Sequence, residues 1–450
     1  MSVVEGSQPP SDIARASDAE GGAHMQADEL AIHGGPRAVT VEWQRDWPLI
    51  GTEEVEAVVS LMNQGILSIY DRSGIIAEFE DAFADYHRHG GNAPFAIAHN
   101  SGTSALHAAY FGLGIGPGDE VVVPTYTFLA TVVPLLQCGA RPVFADMDPL
   151  TLNISPESVA ERIGSRTRAI VATHMWGHPA DMPALLKIGD RHGLPVVEDC
   201  SHAHGATIDG RKVGTFGAAA CFSLEGHKPI VAGEGGVLIT PSRRVYERAL
   251  MLGHFGRRIK DEVTDADLRP YVETGFGHKY RMHPLAAAIA NQQLRRLDGR
   301  NKQRAANLEL LASLLESVPG IRPPVTVDGT TRGGWYGFKP SYVSEELGGL
   351  PMSSFMAALR AEGVQVKKPG SPPLHTLPLF GLTRSQASSL NLPWAESLDE
   401  QPPPASKCPT AEETYPRLLS LPTFSGSCEE VIRQYAEAFM KVAASWRRLL

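Results

Sequence analysis

The 450 residues, 43% of them hydrophobic, are enough for a large buried core and for roughly three domain-sized units. A formal net charge of −9, with no long basic run, excludes a nucleic-acid or acidic-membrane binder, because both need a positive surface. Five widely spaced cysteines without a CxxC pair give neither a disulfide framework nor a zinc site, so no metal is expected and a reducing cytoplasm fits.

Residues 1–28 read as a disordered lead, polar and without the basic start and apolar core of a signal peptide. Ordered sequence begins at "ELAIHGGPRAV". A helix over "TEEVEAVVSLMNQG" follows, with Thr52 as its N-cap and Gly65 as its stop. From about residue 95, strand-like runs alternate with helical ones: "PFAIAHN" and "GTSALHAAYFGLG", "EVVVPTY" and "FLATVVPLLQCGA", then "RPVFADMD", "RAIVATHM", "MPALLKIGDRHG" and "LPVVEDC". That alternation predicts a mainly parallel sheet covered on both faces, with ligands gathering beyond the carboxyl ends of its strands. Then "MHPLAAAIANQQLRRLDGRNKQRAANLELLASLLESV" reads as one long helical stretch, and from about residue 320 a smaller mixed region begins. A Pro- and Ser-rich segment near 385–410 reads as an irregular insertion, and no run is long and apolar enough to span a bilayer. The expected units are therefore the lead over 1–28, a large domain over 29–290, and a linking helix with a small C-terminal domain over 291–450.

The strand ends carry the chemistry. In "HNSGTSALHAA", Gly102, Thr103 and Ser104 open a helix whose free N–H groups and hydroxyls can hold a phosphate, although an ordinary N-cap reads the same way. "PTYTF" offers Phe128 or Tyr126 as a flat aromatic face, a residue type that is more often core. In "VVEDCSHAHGA" two carboxylates follow a buried strand, where an unpaired charge is costly. A structural salt bridge or cap accounts for Glu198. Asp199 can instead converge with Lys228, one strand further along, on a single ligand. A desolvated lysine has a lowered pKa, and its neutral amine can form a Schiff base with an aldehyde. A pyridine-ring cofactor held in this way needs a carboxylate at its ring nitrogen, an aromatic on its face and a phosphate cradle.

The stretch "FSLEGHKPIVAGEGG" resembles the Schiff-base motif of the pyridoxal 5'-phosphate (PLP) dependent sugar aminotransferases of the DegT/StrS type, within the aspartate-aminotransferase fold. "SGTSALHAA", "GDEVVVPTYTFLATV", "GARPVFADMDPLTLNI", "THMWGHPADM", "VVEDCSHAHGA", "YRMHPLAAAIA" and "LHTLPLF" resemble that family's motifs in its order, from about residue 29 to the C-terminus without the insertion. The resemblance implies a three-layer α/β/α fold with a smaller mixed α/β domain. It implies Lys228 as the lysine joined to PLP, Asp199 at the pyridine nitrogen and Phe128 on the ring, with Tyr126 as second choice. Gly102, Thr103, Ser104 and Ser223 would bind the phosphate.

Two positions depart from the family. His202 stands where glutamine is frequent; it can pack on or hydrogen-bond the ring system, and its identity changes the electrostatics near the cofactor and can shift activity with pH. In "GHKYRM", Lys279 replaces an asparagine that reaches the phosphate from a neighbouring subunit, which implies a homodimer with shared active sites. Arg281, His283 and His375 lie in motifs bordering the substrate pocket. The implied reaction moves an amino group from L-glutamate or L-glutamine to the ketone of a sugar, free or nucleotide-linked, or of a cyclitol, in amino-sugar or antibiotic biosynthesis. Dehydratase relatives carry histidine in place of Lys228, whereas aromatising relatives keep the lysine. A non-catalytic PLP-binding regulator would have no reason to keep Lys228, Asp199 and Ser223 together.

Overall fold

The computed structural model describes residues 29–43, 47–401 and 406–450; the expected lead over 1–28 lies outside the described residues. The alternation read in the sequence forms one seven-stranded sheet. Its strands are β1 (Phe95–His99), β2 (Glu120–Pro124), β3 (Arg141–Ala145), β4 (Thr167–Thr173), β5 (Val196–Asp199), β6 (Ala219–Ser223) and β7 (Gly236–Thr240). They lie in the order β1-β7-β6-β5-β4-β2-β3, and β7 alone runs antiparallel to its neighbours. Runs such as Val121–Val123 and Val196–Val197 are buried on both faces, as a sheet covered on both sides requires.

One face packs on α3 (Gly102–Gly112) and α5 (Arg243–Gly253), through Leu106, Tyr110, Leu250 and Met251 among others. The opposite face packs under β1 and β7 on α2 (Gly74–Tyr86) and α6 (Pro284–Arg295), and under β4 and β5 on α4 (Met182–His192). Burying each such aliphatic or aromatic side chain contributes about 1.5–3 kcal/mol. A buried carboxylate fixes α2 both to β1 and to the short helix Arg257–Glu262. Glu80 accepts both guanidinium nitrogens of Arg258, at 2.8 and 2.9 Å, and also the Ala98 N–H at 2.8 Å.

The helix α1 (Thr52–Asn63) starts one residue earlier than its sequence cue suggests: Gly51 is the N-cap, and its N–H donates to Glu54 at 2.8 Å. Gly65, in the left-handed region at φ 69°, closes the far end by donating to the Met62 carbonyl. The long helical stretch is in fact two helices. Arg296, at φ −106° and ψ 1°, leaves helical geometry between α6 and α7 (Leu297–Leu315).

A second core gathers α7, α8 (Met352–Ala361) and α9 (Glu429–Ala444) around Phe338, Phe355, Phe424 and Phe439. The segment expected to open the large domain joins this core, for Leu30 is buried in it and Val39, Val41 and Trp43 pack against it. Its backbone is tied there too: Ala31 and Ala38 donate to Glu362, and Thr40 and Val41 donate to Gln434. The proline-rich insertion carries a short helix, Arg384–Ser389, and buries Trp394 and Ala395 against Leu136 and Phe380. No described helix is long and apolar enough to cross a membrane.

Candidate active site

The carboxyl ends of β4, β5 and β6 and the N-terminus of α3 enclose a cavity of about 380 Å³. Ser101, Gly102 and Thr103 line it from α3, Thr173 from β4, Asp199 from β5, and Ser223 and Lys228 from β6 and the turn after it. Glycine is required at 102 by close approach. A Cβ there would lie 2.7 Å from the Cβ of Ser223, so only a bare backbone lets the helix end meet the strand end. Ser101 caps the helix by accepting the Ser104 N–H at 3.1 Å.

Lys228 is 8% exposed. Burial pushes its ammonium down to about 8, opposed by the negative charges of Asp199 and Glu225. Its Nζ sits 4.2 Å from the centre of the Tyr336 ring. The carboxylate of Asp199 is oriented by Thr131 Oγ1, which donates to Oδ2 at 2.7 Å, and by the Ser201 N–H, which donates to Oδ1 at 3.0 Å. Its neighbour Glu198 points to the other side of the strand. There it meets His174 at 3.1 Å and accepts N–H groups from Gly214, Phe216 and Gly217. Burial raises the Glu198 pKa, but His174 and these donors outweigh it and hold the carboxyl below its usual range.

Several expectations from the sequence meet in this cavity and others do not. Gly102, Thr103, Phe128, Asp199, His202, Ser223 and Lys228 all line it. Ser104 does not, because its hydroxyl turns back to Asn100 and to the Ser101 carbonyl. Tyr126 is buried in the core against Trp176 and Tyr415, and the half-exposed Phe128 takes the cavity wall. Burial, reinforced by the charges of Lys228 and Lys339, holds the His202 pKa well below the ordinary value.

Lys279 is exposed and outside the cavity of its own chain. Arg281 is used elsewhere, lying over Tyr70 and donating to the Ile69 carbonyl. His283 caps α6 by accepting the Leu285 N–H, and His375 is held between Thr125 and Glu412. None of these three lines the cavity.

The family model of the DegT/DnrJ/EryC1/StrS aminotransferases matches residues 48–440. The chain belongs to this aminotransferase family. The L-glutamine:scyllo-inosose aminotransferase of Streptomyces griseus is 34% identical over 428 residues, which cover 94% of this chain and 97% of that protein. GDP-perosamine synthase of Vibrio cholerae is 31% identical, covering 81% and 90% respectively. Among solved structures, DesI in the presence of its TDP-sugar product is 28% identical with a TM-score of 0.75, covering 94% of this chain and 98% of that one. The crystal structure of 3-amino-5-hydroxybenzoic acid synthase is 27% identical with a TM-score of 0.74, covering 90% and 99%.

The family is PLP-dependent, and the donor set of this aminotransferase suits that group. A helix N-terminus with two hydroxyls offers a phosphate cradle, and only a glycine at position 102 lets it close on Ser223. A carboxylate and a desolvated amine face the same cavity.

Sequence reasoning missed the aromatic wall of the aminotransferase. Tyr336 stacks on His202 with ring centres 4.1 Å apart and planes 20° apart, and Trp176 stacks on both rings. Trp176 adopts φ 54°, uncommon for a bulky residue, and Gly337 makes room for it, since a Cβ there would lie 2.3 Å from the indole. The signal was present as aromatic residues beside glycine in "MWG" and "GGWYG".

Proposed function

We propose that this aminotransferase moves the amino group of L-glutamine or L-glutamate to the ketone of a cyclitol or sugar, as a step of amino-sugar or antibiotic biosynthesis. One observation carries the reading: a buried lysine whose amine is held near neutrality shares a cavity with an oriented carboxylate and a helix N-terminus. The likeness along almost the whole chain to an inosose aminotransferase supports cyclitols as acceptors.

PLP, when bound, supplies an aldehyde carbon that carries the amino group and a ring that spreads carbanion charge. Lys228 Nζ, about half unprotonated near pH 8, takes the proton from the donor's α-carbon and returns a proton to the acceptor's carbon when the reaction runs the other way. Asp199, fixed by Thr131 and Ser201, holds a proton on the pyridine nitrogen. The Ser101–Thr103 turn and Ser223 bind phosphate oxygens, while Phe128 and His202 bound the ring. Ser104 acts indirectly, by fixing the cap. The protein works as a homodimer in which Lys279 reaches the phosphate of the neighbouring site. Its exposure outside its own cavity supports this, as does the outward apolar stripe of Val55, Val59 and Met62 on α1.

The test mixes purified protein loaded with PLP with L-glutamine and follows the absorbance of the bound cofactor. Conversion to the pyridoxamine form, reversed by scyllo-inosose with release of aminocyclitol, is the expected result, and Lys228→Ala abolishes both directions. Absence of conversion with either amino donor overturns the reading. A second reading, aromatisation, is favoured by the likeness to 3-amino-5-hydroxybenzoic acid synthase. Only transamination consumes the donor, so measuring 2-oxo acid release separates the two.

A further inference from the structure

A cavity of about 690 Å³ is bounded by α7 and by residues 322–326, and Trp176 is the one lining residue it shares with the Lys228 cavity, among the described residues. Part of its wall is apolar, with Leu150, Pro323, Pro324 and Trp335. Arg332 lines it too and is only 4% exposed.

The guanidinium of Arg332 is pinned in place. Its Nε donates to Thr326 Oγ1 at 2.9 Å, its Nη2 donates to the Val325 carbonyl, and its carbon sits 4.6 Å from the centre of the Trp335 ring. Val325, Thr326 and Trp335 are themselves lining residues, so the charge they hold lies at the cavity wall. Nη1 donates to no described residue and is not sealed from solvent. No carboxylate opposes the effect of burial, which alone acts on the side chain and pulls its pKa down to about 9. His178 supplies no counter-charge, since its Nε2 accepts the Val327 N–H at 3.1 Å and its Nδ1 donates to the Pro179 carbonyl at 2.6 Å. Glu309 and Glu316 line the cavity from the exposed side of α7 without pairing with Arg332. Arg322 and Lys339 line it as well, but both are engaged, Arg322 by Glu346 and Lys339 by Ser420 among its partners. Taking a cation out of water is costly, and a hydroxyl, a carbonyl and a ring face offset only part of that cost.

We propose that this cavity binds a small organic oxyanion, a carboxylate or a phosphate ester, with an oxygen on Arg332 Nη1 and an apolar body along Leu150, Pro323 and Trp335. An oriented, charged N–H bonds an oxyanion more strongly than a neutral acceptor, and the volume is of the size that small molecules fill. This ligand is distinct from the amino donor and acceptor, because the reacting amine lies in the other cavity.

The test titrates PLP-loaded protein with benzoate, phenyl phosphate and benzyl alcohol in a calorimeter, three probes that share an aromatic body and differ in head group. The favoured anion binds with a single equivalent and roughly tenfold more tightly than the alcohol, as one charged hydrogen bond allows. Benzoate ahead assigns a carboxylate ligand, phenyl phosphate ahead a phosphate ester. Arg332→Gln removes most of that preference. Ser313→Trp, on the exposed side of α7 where folding is not at risk, narrows the opening and weakens the favoured anion roughly fivefold, and it decides the matter if Arg332→Gln does not fold. Equal binding of the three probes overturns the inference. So does a preference that survives in folded Arg332→Gln, or an affinity that Ser313→Trp leaves unchanged, which would place the anion in the Lys228 cavity instead.

Discussion

Lys228 shows how its surroundings prepare one position for the proposed reaction. Desolvation lowers its pKa while Asp199 and Glu225 raise it, and the balance near 8 leaves an amine both nucleophilic and able to carry a proton. Cofactor-free protein treated with a small aldehyde and borohydride is therefore labelled at Lys228 with a rate that rises with pH to a midpoint near 8. Asp199→Asn removes a charge that favours the ammonium, so its midpoint falls; an unchanged or higher midpoint would contradict this balance. Lys228 and Asp199 were legible in sequence because a charge at the end of an apolar strand is expensive and asks for a reason. Trp176 and Tyr336 were not, because an aromatic residue defaults to core and only the fold reveals that these two face a cavity. Arg281, His283 and His375 sat in the right motifs, but nearer partners absorb all three side chains.

In the proposed function, the element that decides PLP binding is the start of α3, pressed against the end of β6. Gly102→Ala forces a Cβ to within 2.7 Å of Ser223 Cβ, and overpacking of this kind costs about 1–3 kcal/mol. The helix end then backs away from the strand end. PLP affinity is expected to fall at least tenfold, with a lower melting temperature, read by fluorescence titration and by calorimetry; native affinity would show that the close approach is dispensable. The strands and the covering helices followed from periodicity because buried parallel strands have no polar face to mislead; their order in the sheet did not. The break at Arg296 did not, since Arg295 and Leu297 on either side are good helix formers and the nearest glycine, Gly299, falls inside α7 and not at the break.

Across the whole molecule, the proposed sharing of active sites makes assembly part of catalysis. Lys279→Ala is expected to weaken PLP retention about tenfold while dimers persist in sedimentation. Mixing dissociated Lys228→Ala and Lys279→Ala chains at limiting PLP then restores activity, because one site of each hybrid regains both lysines. No recovery on mixing would retire the shared phosphate contact. The oligomer was implied by a family motif alone, and periodicity could not have shown that Val55, Val59 and Met62 on α1 stay uncovered in the chain.

The docking of residues 30–43 on the C-terminal core has a consequence in time. Thr40 finds its acceptor, Gln434, 394 residues further on. At about 5–20 residues per second, the ribosome delivers that partner roughly 20–80 s after the opening segment has emerged. The sheet can form in the meantime, but residues 30–43 leave the exit tunnel well before their seat exists, so Val39, Val41 and Trp43 wait in water, open to chaperones, until α9 is translated.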